Sequence, residues 1–147
     1  MSEPVETSVR VRYAETDQMG VVYHANYIVW MEVGRVEYFR ASGVRYRDLE
    51  KNDGILLVVG EVSCRYKAPA FYDEEVTIRT RVTVATPRMI HFEYELRAGE
   101  GEQYRVIATG ATKHVFCGHD KRPLRLPEKY HALLGIPLHP AEVDTEA

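Results

Sequence analysis

The chain has 147 residues, of which 45% are hydrophobic and 28% charged, with a formal net charge of −3. Those figures suit one soluble domain around one core, and they exclude wholesale disorder. The acidic balance leaves no electrostatic footprint for nucleic acid, and no apolar run approaches the roughly 18–20 residues that span a bilayer.

Residues 1–6 read as a loose lead-in, and the polar, acidic opening MSEPVETSVR is unlike a secretory leader. Over residues 8–13 Val9, Val11 and Tyr13 alternate with Arg10 and Arg12, the period of a half-buried strand. A polar loop ending at Gly20 follows. Asn26 then offers an N-cap for a long helix over 26–42, with Gly43 placed to stop it. This helix carries Tyr27, Ile28, Trp30, Met31, Val33, Val36, Tyr38 and Phe39 in many directions, so it should be largely enclosed. Its charges are spaced for Glu32–Arg35 and Glu37–Arg40 pairs, and Gly34 midway would let a neighbouring backbone come close, against the plainer reading of a helix-weakening glycine.

After a short polar helix or turn over 45–52 the pattern becomes that of strands. Val62, Cys64, Tyr66 and Ala68 alternate with polar residues, as do Val76 to Val84 and Ile90 to Leu96, and a fourth strand covers about 103–116. The connectors ATPR (85–88) and AGEGE (98–102) are short enough for hairpins, so these last three strands should be consecutive and antiparallel. Pro127 opens a brief helix over 127–134, and the acidic tail from His139 reads as mobile. One strand, one enclosed helix and several antiparallel strands make an α+β domain over 7–135, with loosely ordered ends at 1–6 and 136–147. Open sheet edges favour self-association.

The two cysteines, Cys64 and Cys117, form no CxxC pair and read as reduced, buried thiols. The histidines show no HExxH or comparable ligand spacing, so no metal site is expected. There is no glycine-rich phosphate loop and no GxSxG elbow, which disfavours serine-esterase chemistry.

The most informative segment is YAETDQMGVVYHANY at 13–27, where a carboxylate, a glycine turn, a histidine and a helix start fall within fifteen residues. A helix N-terminus exposes unpaired N–H groups and partial positive charge, which can hold a developing oxyanion. Asp17 precedes that helix through the Gly20 turn. Its competing reading is an Asx-type turn residue.

The run TDQMGVVYHANYIVWMEVGR resembles the signature of the 4-hydroxybenzoyl-CoA thioesterases and their YbgC-like, Tol–Pal-associated relatives. The likeness continues through GEVSCRYKAPAFYDE at 60–75 and spans roughly residues 7–130. It implies a hot-dog fold, a long helix wrapped by a five- or six-stranded antiparallel sheet, in a cytoplasmic homodimer or homotetramer. It also implies a catalytic carboxylate at Asp17, an oxyanion donor at the His24 backbone N–H, and participation of Tyr13 and of the His24 ring. His24 stands where the aromatic-substrate branch often has tyrosine or tryptophan, which places the chain nearer the YbgC-like branch.

The implied activity is hydrolysis of a small to medium acyl-CoA, with Asp17 as nucleophile or general base. Hot-dog thioesterases of another branch use a helix glutamate instead, which keeps Glu32 and Glu37 as reserve candidates. The thiolate leaves readily, so the reaction calls for no metal or other cofactor, coenzyme A being part of the substrate. An acyl carrier protein is the alternative carrier. Arg88, Lys113, Arg122 and Arg125 are candidate contacts for the CoA phosphates, against the plainer reading of a solvated basic face. Two other readings compete: an acyl-thioester hydratase or dehydratase, although no HFPxxP-type run is present, and a non-catalytic thioester-binding module.

Overall fold

In a computed structural model, which describes residues 2–136, the chain runs β1 (Val5–Arg10), α1 (Ala25–Ala41), α2 (Tyr46–Asp53), β2 (Leu56–Tyr66), β3 (Glu75–Ala85), β4 (Met89–Glu100) and β5 (Gln103–Cys117). Short 3-10 turns sit at Tyr13–Glu15 and Glu128–Tyr130. The five strands form one sheet in the order β1-β3-β4-β5-β2, each neighbouring pair antiparallel. β3, β4 and β5 are the two successive hairpins that the connectors foretold. The β4–β5 turn is tighter than expected: Glu100 pairs with Gln103 around a left-handed Gly101. This is the α+β arrangement of the hot-dog fold. No helix among the described residues is long and apolar enough to cross a membrane.

Alternation builds the core. Val76, Ile78 and Val82 of β3, Ile90, Phe92 and Leu96 of β4, and Ile107 and Phe116 of β5 are buried on the face that meets α1. The helix answers with Tyr27, Trp30, Met31, Tyr38 and Phe39. Each large side chain so enclosed contributes about 1.5–3 kcal/mol relative to exposure. Two glycines let the layers close. A Cβ at Gly34 would stand 2.3 Å from Thr80 Oγ1, and one at Gly110 would stand 2.2 Å from Met31 Cε. The close approach anticipated at Gly34 is therefore to side chains of β3.

Several local expectations are corrected. β1 begins at Val5, inside the expected loose lead-in, because Val5 and Glu6 already pair with Thr80 and Arg79. α1 is enclosed on one side only, and Val29 remains 51% exposed. The Glu37–Arg40 pair forms, whereas Arg35 turns inward, away from Glu32, and donates to Tyr94 Oη at 3.3 Å. Tyr94 and Thr112 hydroxyls lie 2.6 Å apart, and His114 Nε2 lies 2.7 Å from Thr112 Oγ1. A polar layer thus crosses an otherwise apolar core. β2 starts at Leu56, six residues before the alternation at Val62 announces it. As an edge strand it leaves Val58, Val59, Val62 and Tyr66 between 38% and 47% exposed. The C-terminal helix shrinks to a 3-10 turn, held where the Tyr130 hydroxyl donates to Asp53. The tail from His139 lies outside the described residues.

Candidate active site

The loop between β1 and α1 is folded around two acids. Glu15 is 6% exposed. Its carboxylate accepts the Arg12 N–H at 2.7 Å and the Trp30 indole N–H at 3.2 Å, so it ties the loop to the helix. Its backbone oxygen accepts from the Tyr23 N–H and from Asn26 Nδ2, both at 2.9 Å. Asp17 heads the next turn. Its N–H donates to Val21 O, its C=O accepts from Gly20 N–H, and its Oδ1 accepts the Met19 N–H at 2.8 Å. Gly20 has φ +80, a left-handed value that favours glycine and brings residues 17 and 21 face to face. The Asx turn is real, and it engages one carboxylate oxygen. The turn leaves Asp17 half-buried in the wall of a cleft at the helix start.

α1 starts at Ala25 with His24 as its N-cap, and Asn26 sits in the first turn with its side chain committed to Glu15. The expected Asn26 cap is corrected for that reason. His24 lies at φ −57, ψ −30 and offers no side-chain cap. The first orphan donors of the helix are therefore only partly filled. Asn26 N–H reaches Tyr23 O and Tyr27 N–H reaches His24 O, while among the described residues the N–H groups of His24 and Ala25 have no acceptor. Unfilled N–H groups carrying the positive end of the helix dipole form an anion-stabilising corner.

Asp17 and His24 share one open cleft of about 360 Å³ with Met19, Val22, Tyr27 and Tyr66. Tyr66, from β2, donates its hydroxyl to His24 O at 2.9 Å and stands edge-on to Tyr27, with ring centroids 5.0 Å apart. Desolvation, then its neighbour Cys64, pushes the Tyr66 phenol up to about 12, so it remains an O–H donor at neutral pH. Burial likewise raises the Cys64 thiol, which keeps it protonated. A larger trough of about 450 Å³ lies on the sheet between Arg65, Arg79 and Glu93. Arg79 there is paired with Glu6 and Arg81 with Glu93, and the trough holds none of the acid–amide arrangement of the smaller cleft.

Asp17 and His24 are thus brought together. Tyr13 is not: it is 78% exposed in the 3-10 turn and packs edge-on against Tyr72, outside the cleft wall. The four cations expected at CoA are also elsewhere in the chain. Arg88, Arg122 and Arg125 are exposed about the far end of β5, where Phe116 N–H meets Arg88 O. Tyr66, on the cleft wall, pairs with Ala108 at the other end of that strand, roughly 27 Å away at 3.4 Å per residue. Lys113 pairs with Glu61 across β2 and β5. A cation that does line the cleft is Lys67. Glu32 is exposed and Glu37 is bound to Arg40, and neither lines the cleft. Glu15 and Tyr66 were missed by sequence reasoning. A glutamate in a polar loop looks solvated, and Tyr66 lies 42 positions from the carbonyl it holds.

Comparison with known proteins places the chain in a family. The thioesterase-like superfamily model matches residues 11–139. A putative acyl-CoA thioesterase, YneP of Bacillus subtilis, is 51% identical over 72 residues, about half of each chain (49% of this one and 51% of that one). The acyl-CoA thioesterase YbgC of Haemophilus influenzae is 34% identical over 84% of this chain and 89% of its own. Among solved structures, a DHNA-CoA thioesterase from Staphylococcus aureus superposes with a TM-score of 0.83 at 33% identity, covering 90% of this chain and 89% of that one. With nearly its whole described length matched, this chain belongs to the thioesterase-like superfamily.

Proposed function

We propose that the protein hydrolyses acyl-CoA thioesters to the free acid and CoA. The observation that carries the reading is that Asp17 and His24 line one cleft at the start of α1, where the His24 and Ala25 N–H groups are unfilled. The thioester carbonyl oxygen docks on the His24 N–H, with the Ala25 N–H beside it, and negative charge that develops there falls on preorganised donors. Asp17 then works in one of two ways. As a nucleophile it adds to the carbonyl carbon, the C–S bond breaks, the thiolate takes a proton from solvent, and water hydrolyses the resulting anhydride. As a general base it takes a proton from a water that attacks the same carbon, and returns it to the departing thiolate. The His24 ring, on the same wall, orients the carboxylate or the water.

Tyr27, Tyr66 and Val22 give the cleft an apolar lining suited to a small or medium acyl group, aromatic or aliphatic. Lys67 is placed to meet a CoA phosphate, and an acyl carrier protein thioester is the alternative substrate. The chemistry calls for no cofactor. The exposed valines of the β2 edge support a homodimer or homotetramer, and the two free cysteines, Cys64 and Cys117, accord with a reducing, cytoplasmic setting.

The test is thiol release from a panel of acyl-CoAs, comparing wild type with Asp17→Asn. Removal of the acid–base group should cost ~10²–10⁴-fold in kcat. Equal turnover by the variant would remove Asp17 from the reaction.

A further inference from the structure

The start of α1 is clamped from outside the helix. The His24 carbonyl oxygen receives the Tyr27 N–H at 3.3 Å and the Tyr66 hydroxyl at 2.9 Å. That carbonyl and the Ala25 N–H are the two ends of one planar peptide unit and point in opposite directions. Holding the oxygen therefore aims the hydrogen. Accepting a hydrogen bond at the oxygen also polarises the amide, strengthening its donor end by on the order of 10–30%. Tyr66 comes from β2, a different element from the loop that carries Asp17, and its ring is wedged between Tyr27 (centroids 5.0 Å apart) and His24 (6.2 Å). These aromatic contacts, to Tyr27 of α1 and to the His24 cap, brace the β2 hydroxyl against the helix start. Tyr66 as a residue is 46% exposed, on the cleft wall rather than in the core.

We propose that Tyr66 is a positioning residue for thioester hydrolysis, fixing and polarising the His24–Ala25 peptide so that the Ala25 N–H stays directed at the substrate oxygen beside the His24 N–H. The assignment rests on the hydrolase reading above and adds a residue from a distant strand to it. Loss of the hydroxyl loosens the Ala25 donor without deleting it, so its effect should fall below the 10²–10³-fold typical of removing an oxyanion donor outright.

The experiment compares Tyr66→Phe, which keeps the ring, with Tyr66→Leu, which loses it. Tyr66→Phe should lower kcat on the best acyl-CoA of the panel about tenfold with KM within about twofold, whereas Tyr66→Leu, which also removes cleft lining, should lower kcat as much, raise KM and melt measurably lower. Wild-type kcat in Tyr66→Phe, or a rise in KM with kcat unchanged, overturns the assignment. A second readout needs no turnover: in ¹H–¹⁵N spectra of Tyr66→Phe the His24 and Ala25 amide resonances should move while those of central β4 stay in place. Unmoved His24 and Ala25 resonances overturn the positioning role even in an active enzyme. A wild type inactive on the whole panel, with those resonances displaced in the variant, instead overturns the hydrolase reading alone.

Discussion

Replacing Gly34 by alanine sets two effects of opposite sign against each other. In an isolated helix alanine is better than glycine by about 1 kcal/mol. Here the new Cβ would lie 2.3 Å from Thr80 Oγ1 and 2.8 Å from Ile78 Cγ2, whereas carbon contacts settle near 3.5–4.0 Å. Either α1 lifts from β3 by about 1 Å, or two buried β-branched side chains leave their preferred rotamers. Overpacking of this kind costs about 1–3 kcal/mol, and two simultaneous clashes put the cost at the upper end. The net expectation is a destabilisation of about 2 kcal/mol, or a Tm lower by about 4–8 °C for a chain of this size. Urea and thermal unfolding followed by circular dichroism measure it. Thr80→Ala provides the internal control, because the Thr80 hydroxyl is buried without a hydrogen-bond partner and its removal relieves the nearer clash. The double variant should recover at least about 1 kcal/mol relative to additivity. A Gly34→Ala protein more stable than wild type, or strict additivity with Thr80→Ala, would refute the packing argument and leave Gly34 as a merely weak helix residue.

Glu15→Gln leaves one acceptor oxygen for two donors, the Arg12 N–H and the Trp30 indole. It should destabilise by about 1–3 kcal/mol and speed limited proteolysis within residues 13–24; a wild-type cleavage rate would show the carboxylate to be dispensable. His114 is 1% exposed. Burial first, then the positive Arg35 and neighbouring His91, push its imidazole down from 6.5 to about 3. Because the folded value lies below the unfolded one, its contribution to stability is complete above pH about 6.5 and is lost progressively as pH falls towards 3. Its ring protons should therefore not titrate between pH 4 and 8 by NMR, and the acid-side stability slope should flatten in His114→Gln. A normal titration near 6.5 would contradict the buried placement.

The parts of the fold legible in the sequence are those where one face of an element differs chemically from the other. β3 and β4 alternate cleanly because each has a buried face and a charged one, and their hairpin follows from four residues of turn. β2 breaks the rule. At the sheet edge neither of its faces is well covered, so Leu56 to Gly60 carries no alternation and its start was placed six residues late. Asn26 had the chemistry of a cap, yet the 3-10 turn closed by the Asn26 N–H on Tyr23 O starts the helix earlier and frees that side chain for Glu15. Within the candidate site, Asp17 and His24 lie seven residues apart before one helix, a suggestive spacing to which the family resemblance attached roles, and both line the cleft. Glu15, Tyr66 and Lys67 depend on which strand edge meets which helix end, and local patterning holds none of that. For the same reason, charge alone did not show that Arg88, Arg122 and Arg125 lie about the end of β5 away from Tyr66.

A helix that begins without a side-chain oxygen on its leading amides forgoes stabilisation of about 1 kcal/mol that a serine, aspartate or asparagine in the right place would supply. Here the omission coincides with the mouth of the cleft, between a turn locked by Gly20 and a clamp from β2. Selection for heat resistance at residues 21–25 would therefore favour whatever plugs those amides, and the same plug would exclude any incoming carbonyl. Thermal robustness and ligand access compete for two hydrogen atoms.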